Sequence, residues 1–321
     1  MREQADVAVI IPTLRRPDSL ERALRSVMAQ TGVTARLKEV VVVDNDPQAS
    51  ARETVERLAA ESVLPILWRH APQPGVATAR NAGLAATIAP LIAFLDDDEA
   101  ASSGWLSALV GAQASTRADA VFGPIRGRVP EGTGWSTPYL ERFFGREGPA
   151  ETSLIDTAYG CGNALLVRAT ALPGAAPFNT AADQAGGEDD ALFAALAARG
   201  GRFGWAADAW VDEFAPSHRA TLRYALTRAF AYGQGPSQTA AAARDWLGVA
   251  RWMAIGAAQT AIWGAAALGL TLAASPRRAD LMDRCARGLG KVFWMKNFEP
   301  RFYGMHEMAR LERQPCAASK G

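Results

Sequence analysis

Short apolar runs that end in polar or acidic residues recur along the first hundred positions. They are Val7–Ile11 closed by Pro12-Thr13, residues 40–43 followed by Asp44, and Leu91–Leu95 followed by Asp96. Apolar, β-branched runs of this length are typical of strands buried on both faces of a sheet. The pattern therefore predicts parallel strands at these three places.

Apolar residues at helical spacing separate these runs. Pro17-Asp18-Ser19 opens a predicted helix, a second helix spans residues 51–60, and a short strand lies near residues 66–68. Alternating strands and helices predict an α/β fold. We expect a Rossmann-like, mostly parallel central sheet with helices on both faces.

Polar side chains gather where the predicted strands end. Thr13, Asp44, Asp46 and the acidic run 96–99 all occupy such positions. Ligands of open α/β sheets bind beyond the carboxyl ends of the strands. We therefore expect these side chains to meet at one edge of the sheet.

The acidic run Asp96-Asp97-Asp98-Glu99 has no Lys or Arg within several residues along the chain. Four adjacent carboxylates repel one another, so a positive partner from outside the local segment is expected. A hard divalent cation bound through oxygen is the natural candidate. The alternative is a solvated acidic turn.

Two further segments carry candidate chemistry. Residues 75–83 are bounded by glycines and lead into a helix that carries Arg80, which we expect to pair with a site carboxylate or a ligand phosphate. The glycines themselves are equally consistent with turns and packing, and no Walker or dinucleotide motif is present. Glu188-Asp189-Asp190 opens a helix, where the acids either stabilise the helix dipole or supply a general base.

Composition narrows the function classes only slightly. The 321 residues suit one large or two moderate domains, and a net charge of +1 gives no indication of a nucleic-acid partner. The three cysteines have no metal-ligand spacing and fit a reducing compartment. The N-terminus has no apolar leader, so we expect no secretory signal peptide.

Four ordered motifs resemble the family 2 inverting glycosyltransferases of the GT-A fold. They are Ile11-Pro12-Thr13, Val43-Asp44-Asn45, Gly75 with Ala79-Arg80-Asn81-Gly83, and Phe94-Leu95-Asp96-Asp97-Asp98. The resemblance covers roughly residues 5–235 and extends to succinoglycan and other exopolysaccharide glucosyltransferases. It predicts a glycosyltransferase domain at 1–235 and a helical C-terminal extension at 236–321.

The resemblance also implies roles for residues at the matching positions. Asp44, Pro12 and Thr13 would contact the nucleotide base, Arg80 the nucleotide and diphosphate, and Asp96 the nucleoside, with Asp97 beside it. Asp98, with Asp96 as second candidate, would hold Mg²⁺ or Mn²⁺ at the phosphates. Asp189 would be the general base, with Glu188 and Asp190 as alternatives.

The middle of the chain leaves several interpretations open. Residues 130–155 are either a loosely packed connector or an acceptor-binding loop. Cys161, in a glycine-rich strand start that would lie under the donor sugar, is expected to be a small buried residue. Related enzymes carry a metal-approaching His where this chain has Phe214, so His218 is only a weak candidate ligand. Arg219, Arg223 and Arg228 either bind phosphate or form a solvated basic face.

Residues 252–275 contain no charged side chain and are long enough to span a membrane. Arg251 precedes them, and Arg277-Arg278 opens a basic tail that continues to Arg313. Both flanks would then be cytoplasmic, which favours a re-entrant or in-plane helix over a single span. The alternative is a pair of buried helices.

The resemblance implies an inverting, metal-dependent hexosyltransferase, and the C-terminal segment places it at the cytoplasmic face of the inner membrane. Its donor would be a nucleotide-diphosphate sugar, most simply a UDP-sugar, and its acceptor a lipid-linked saccharide. A nucleotidyltransferase that makes nucleotide sugars is a second hypothesis, disfavoured because no lysine-bearing glycine loop follows the first strand. A non-catalytic membrane scaffold is a third, disfavoured by the two acidic clusters.

Overall fold

The computed structural model describes residues 6–32, 37–183 and 187–300, except for the side chain of residue 182. The predicted absence of a leader peptide and the last part of the basic tail lie outside these residues. The described chain forms two compact units. The first draws on Met1–Arg126 and Arg146–Glu213, and the second on Gly127–Gly145 and Phe214–Arg301.

The first strands follow the predicted order, and further strands come after them along the chain. They are β1 (Val7–Thr13), β2 (Leu37–Asp44), β3 (Ile66–His70), β4 (Leu91–Phe94), β5 (Glu99–Ala101), β6 (Ala120–Phe122), β7 (Ile125–Arg128), β8 (Ser153–Ile155), β9 (Ala164–Val167), β10 (Phe203–Trp205) and β11 (Val211–Phe214).

The helices alternate with these strands through the first half of the chain and then dominate. They are α1 (Pro17–Met28), α2 (Arg52–Glu61), α3 (Val76–Ala85), α4 (Trp105–Thr116), α5 (Thr137–Phe144), α6 (Arg168–Ala171), α7 (Glu188–Ala198), α8 (Leu222–Ala242), α9 (Trp246–Leu272) and α10 (Arg278–Val292), with short 3₁₀ turns at Thr180–Ala182 and Lys296–Phe298.

Within the described residues, an eight-stranded sheet has the order β3-β2-β1-β4-β9-β6-β10-β8. The pairs from β3 to β4 and the β6–β10 pair are parallel, whereas β9 and β8 run antiparallel to their neighbours. The predicted mostly parallel α/β sheet is therefore confirmed. In the β1–β2 register Thr13 lies beside Asp44, so two of the predicted strand-end residues are adjacent.

Helices cover both faces of this sheet, as the continuous apolar strands predict. Alternate residues of β1 point to opposite sides, so Val7, Val9 and Ile11 join one core and Ala8 and Ile10 the other. The first core is completed by α1, α2 and α4, and the second by α3 and α7. Both faces are buried along β1 and β4, which explains the absence of polar alternation in these strands.

The region from 203 to 214 contributes to two different sheets. It forms β10 in the large sheet and β11 in a second, three-stranded sheet of order β5-β11-β7. The chain turns at Ala206–Ala209, where the Ala209 amide donates to the Ala206 carbonyl. The pairing of β11 with β5 brings Glu213 opposite Glu99.

The second unit is mainly helical and corrects two predictions. Residues 137–144 form α5, whose Tyr139 and Leu140 are buried against Ala225 and Ala279, so this part is not a loose connector. The glycines at 233 and 235 predict a helix end, but α8 continues to Ala242.

The continuation of α8 through Gly233, Gly235 and Pro236 is explained by packing against α10. A Cβ at Gly233 would lie 2.2 Å from the Arg287 carbonyl oxygen, so a glycine is required there. Ser237 Oγ donates to the Lys291 carbonyl at 2.8 Å. Tertiary contact therefore outweighs the low helix propensity of this segment.

Candidate active site

The ends of β1 and β4 are joined through side chains. Thr13 Oγ1 donates a hydrogen bond to Asp97 Oδ2 at 2.8 Å, and both residues are buried. Arg16, three residues further along the chain, donates from Nη1 to Asp97 Oδ1 at 3.0 Å and to Asp98 Oδ2 at 2.9 Å. The acidic run thus receives a positive partner from the β1–α1 connection, which sequence proximity could not reveal.

The acidic run is not a solvated turn. Asp97 and Glu99 are buried, and the Glu99 carboxylate accepts a hydrogen bond from the Asp96 amide at 3.0 Å. Asp98 is partly exposed and Asp96 retains 41% of its side-chain exposure. The run therefore presents Asp96 and Asp98 towards solvent while Asp97 and Glu99 hold the turn together.

Crowding shifts the ionisation of this run. Desolvation and the charge of Asp98 raise the pKa of Asp97, against the opposing effect of Arg16. Desolvation, Asp96 and Glu213 raise the pKa of Glu99 well above its usual range. The pKa of Asp96 is also raised, because surrounding protein desolvates its carboxylate although part of the side chain is exposed; Asp98 adds to the shift and Arg80 opposes it. Added positive charge at this edge of the sheet would lower these pKa values and stabilise the carboxylates.

Asp44 is fully buried at the end of β2. Its Oδ2 accepts hydrogen bonds from the Ala51 amide at 2.9 Å and Trp68 Nε1 at 3.4 Å, and its Oδ1 from the Asp46 amide at 3.2 Å. The carboxylate therefore shapes the β2–α2 loop. Its contact with a nucleotide base stays a prediction.

Asn45 connects the β2 end to the start of α3. Its amide donates to the carbonyls of Ala71 and Gln73, each at 2.7 Å, and its Oδ1 accepts from the Gly75 amide at 2.6 Å. All three bonds fix the backbone that precedes α3. The orientation of Arg80, one and a half turns further on, depends on this start.

Arg80 brings the two predicted acidic clusters together. Its Nη1 donates to Glu188 Oε1 at 2.7 Å and to Asp189 Oδ1 at 2.5 Å, and its Nη2 lies 3.7 Å from Asp96 Oδ1. The guanidinium is buried and lies over the Phe94 and Phe178 rings. The carboxylates raise the pKa of Arg80 despite its burial, so it stays charged.

Asp189 is held from two sides. Besides the Arg80 bond at Oδ1, its Oδ2 accepts a hydrogen bond from the Cys161 amide at 2.8 Å. A carboxylate has about four acceptor positions, so each oxygen keeps capacity for a further proton or hydrogen bond. Burial and the Asp189 charge raise the pKa of the neighbouring Glu188, while Arg80 opposes the shift.

The segment Gly160–Asn163 approaches both clusters closely. A Cβ at Gly162 would lie 2.7 Å from Asp96 Oδ2, and one at Gly160 would lie 3.3 Å from Asp189 Oδ2. The glycines therefore allow the backbone to reach the carboxylates. Burial and the nearby Asp189 charge raise the pKa of the Cys161 thiol well above its usual range, which disfavours a thiolate nucleophile.

Sequence reasoning missed several residues that build this site. Asn163 is fully buried, donates to the carbonyls of Pro124 at 2.8 Å and Ala209 at 2.9 Å, and accepts from Trp105 Nε1 at 2.7 Å. Arg146 donates to the carbonyls of Gly160 and Gly162. Arg16 alone had a usable signal, since it closely follows a strand end.

The predicted Mg²⁺ or Mn²⁺ site at Asp98 and Asp96 stays a prediction. Among the described residues, no group of three or more His, Cys, Asp and Glu side chains is arranged to hold a metal ion. Asp98 and Asp96 offer carboxylate oxygens, which Mg²⁺ and Mn²⁺ prefer. Mg²⁺ commonly binds through one or two carboxylates and completes its shell with water and substrate phosphates. His218 lies in the second unit, and its role stays a prediction.

The model of the family described as glycosyl transferase family 2 matches residues 8–172 of this chain. The chain belongs to this family. It is also 35% identical to the succinoglycan biosynthesis protein ExoM of Rhizobium meliloti, over 239 residues that cover 72% of this chain and 74% of that protein. The predicted likeness to exopolysaccharide enzymes is confirmed.

Solved structures agree on the fold. S. aureus TarS 1-349 in complex with UDP has a TM-score of 0.50 at 16% identity, with 70% of this chain and 65% of that chain covered. GalNAc-T7 with UDP, GalNAc and Mn²⁺ has a TM-score of 0.52 at 16% identity, with 75% and 52% covered. This chain therefore spans less than two thirds of either. The GT-A fold expected from the motifs is confirmed.

Proposed function

We propose that this glycosyltransferase transfers a sugar, with inversion, from a nucleotide-diphosphate donor to an acceptor hydroxyl. The observation that carries the proposal is the Arg80 contact with Asp96, Glu188 and Asp189. It places a strand-end acid expected to face the donor beside a helix-start acid expected to face the acceptor. Transfer between two substrates needs both kinds of group in one site.

The donor side is assigned to the strand ends. Pro12, Thr13 and Asp44 lie side by side at the ends of β1 and β2, and Asp97 is bonded to Thr13. We assign them to the nucleoside, with Asp96 at its ribose. A UDP-sugar is the simplest donor, because the fold neighbours TarS and GalNAc-T7 were both solved with UDP.

Asp98, with Asp96 as second ligand, is the proposed site for Mg²⁺ or Mn²⁺. When bound, such an ion would neutralise the charge that develops on a diphosphate leaving group. Asp98 has the necessary partial exposure, and a bound ion would compete with Arg16 for its carboxylate. Arg80 is paired with Glu188 and Asp189, and its contact with the diphosphate stays part of the proposal.

Asp189 is the proposed general base. The acceptor oxygen attacks the anomeric carbon while its proton passes to an Asp189 oxygen, and the bond from that carbon to the diphosphate oxygen breaks. The nucleoside diphosphate leaves, and the new glycosidic bond has inverted configuration. Arg80 and the Cys161 amide keep the carboxylate oriented for this transfer. Glu188, with its raised pKa, is the alternative.

We further propose that α9 anchors the enzyme at the cytoplasmic face of the inner membrane. Among the described helices it is the one long and apolar enough to cross a membrane, and only 11% of its most apolar window is buried. Leu247, Ile262, Leu268 and Leu272 are all exposed. A lipid-linked saccharide is the acceptor that suits such a location.

An in-plane helix fits the packing of α9 better than a span. The charged helix α10 packs tightly along it, since a Cβ at Gly256 would lie 2.6 Å from the Gly288 carbonyl oxygen. Arg284 and Lys291 lie on α10, so lipid cannot surround α9. A one-sided lipid contact needs no charge to enter the hydrocarbon. The division into a catalytic region at 1–235 and an extension at 236–321 is part of this proposal.

A donor screen tests the function. Purified protein is incubated with UDP- and GDP-sugars and Mn²⁺ or Mg²⁺, and the released nucleotide is measured. Release of a nucleoside diphosphate supports glycosyl transfer. In a parallel incubation with a nucleoside triphosphate and a sugar 1-phosphate, formation of a nucleotide sugar with release of pyrophosphate would instead show a nucleotidyltransferase. Absence of turnover with every donor and with added lipid-linked saccharides would favour a non-catalytic scaffold.

A further inference from the structure

We infer that Asp183, which no motif singles out, is a positioning residue for the proposed base. The inference rests on the proposed function, because it concerns how Asp189 is held. Asp183 lies six residues before Asp189 and contacts the start of α3, more than a hundred residues earlier in the chain. It therefore links the base-bearing part of the chain to a helix of the central sheet layer.

Asp183 caps α3 from outside. Its Oδ1 accepts a hydrogen bond from the Ala77 amide at 2.7 Å, and its Oδ2 accepts one from Thr78 Oγ1 at 2.6 Å. The residue preceding α3, Gly75, supplies no side-chain cap. The first amides of a helix need acceptors, and a carboxylate there is also favoured by the helix dipole.

The absence of a side chain at Gly75 allows this contact. A Cβ at position 75 would lie 2.1 Å from Asp183 Cγ, far inside any tolerated approach. The glycine of the family motif is therefore required here because a carboxylate from another part of the chain rests on its backbone. The contact gives Gly75 a specific role beyond that of a turn residue.

Two further side chains of α3 hold the same part of the chain. Asn81 donates from Nδ2 to the Phe178 carbonyl at 2.8 Å and accepts from the Phe178 amide at 3.1 Å. Arg80 binds Glu188 and Asp189. Phe178, Asp183 and Asp189 are thus fixed at three successive points to one helix, with Asp183 in the middle.

Loss of Asp183 should have a different effect from loss of a residue that binds the donor or the metal. Asp183 touches neither the proposed metal ligands nor the nucleoside residues, so its loss should leave donor binding intact. It should instead loosen the attachment of Asp183 to α3 and let Asp189 sample unproductive orientations. A misplacement of about 1 Å in a reacting group costs on the order of 100-fold in rate.

The test compares Asp183→Ala with Asp183→Asn and Thr78→Val in the full-length protein. Asn keeps an acceptor for the Ala77 amide, and Val removes one hydroxyl contact only. We expect kcat for transfer to fall by about 10- to 100-fold in Asp183→Ala. Asp183→Asn should recover most of this loss, and Thr78→Val should lie between wild type and Asp183→Ala. KM for the donor and the calorimetric Kd for UDP should stay within about twofold.

Asp119→Ala is the matched control. The Asp119 carboxylate also accepts a backbone hydrogen bond, from the Arg202 amide at 2.8 Å, but it precedes β6 at the strand end opposite the site. We expect this variant to lower Tm by a few degrees, like Asp183→Ala, without changing kcat.

Hydrogen exchange gives a readout that does not depend on activity. Asp183→Ala should speed exchange at the first-turn amides of α3 and at Phe178 and Cys161, whereas Asp119→Ala should not. An unchanged kcat with unchanged exchange at these amides would overturn the inference. A parallel loss of UDP affinity would overturn it too, because the residue would then act on the donor. Absence of turnover in wild type would refute the proposed function, while exchange would still test the contact.

Discussion

Arg16 Nη1 lies 2.9 Å from Asp98 Oδ2, so the proposed metal ligand already has a positive partner within the protein. The same nitrogen contacts Asp97 Oδ1 at 3.0 Å. A divalent ion at Asp98 therefore approaches a carboxylate whose charge is partly neutralised. Arg16 and a metal ion therefore compete for the Asp98 carboxylate.

Replacing Arg16 should strengthen metal binding. In Arg16→Gln the carboxylates of Asp97 and Asp98 lose their cationic neighbour, so the Mn²⁺ concentration for half-maximal binding should fall. A partly exposed pair contributes about 0.5–1 kcal/mol, which corresponds to roughly a two- to fivefold change. Calorimetric Mn²⁺ titration without donor measures the effect. Arg25→Gln, which removes an exposed pair with Glu21, is the control and should change nothing. Weaker Mn²⁺ binding in Arg16→Gln would show that Arg16 supports the metal site.

Removing the Asp98 charge should abolish metal-dependent turnover. We expect Asp98→Asn to lower kcat by about 100-fold or more, because neutralisation of the leaving diphosphate is worth several kcal/mol. Chelation should inactivate wild type, and added Mn²⁺ should restore it but not the variant. Asp18→Asn, at an exposed position of α1, should behave as wild type. Full activity of chelated wild type would refute the metal assignment.

Asn163 should be the most sensitive stability position near the site. Asn163→Ala leaves Trp105 Nε1 and two buried carbonyls without their partner, which should lower the free energy of unfolding by about 3–5 kcal/mol. Its φ is +54°, so Asn163→Gly should lose about 1 kcal/mol less than Ala. Chemical denaturation of both variants measures the difference. Equal losses would show that the backbone conformation contributes nothing.

The fold could be predicted because its central strands have a distinct sequence pattern. Continuous apolar runs ending in polar residues predict buried parallel strands, and the structure confirms β1, β2 and β4 in that role. The acidic clusters were also visible, since four adjacent carboxylates need a cause. These signals are local in sequence, and each follows from burial or charge repulsion alone.

The contacts between distant segments were not predictable. The partners of Asp96, Asp97 and Asp98 are Arg80 and Arg16, neither of which lies near them along the chain. In the sequence nothing distinguishes Asp183 from other loop acids, because its role depends on its contact with α3. The extent of α8 also depended on packing, because Gly233, Gly235 and Pro236 would end an isolated helix.

Charges on the exposed face of α9 should weaken membrane binding. Leu268→Glu and Ile262→Glu place a carboxylate where we propose lipid contact, so binding to anionic vesicles should fall by about tenfold or more. Ala243→Glu, in the turn before α9, is the control and should bind as wild type. Co-sedimentation with vesicles measures the bound fraction. Unchanged binding of both α9 variants would rule out this face as the anchor.

The identity of the base is the central claim, and Asp189→Asn tests it most directly. Transfer kcat and the Kd for UDP are measured on the same preparation, with Glu188→Gln as the companion variant. We predict that Asp189→Asn lowers kcat by about 10²- to 10⁴-fold while the Kd for UDP stays within about twofold. Glu188→Gln should retain most of the turnover. Wild-type turnover in Asp189→Asn, or a larger loss in Glu188→Gln, would contradict the assignment.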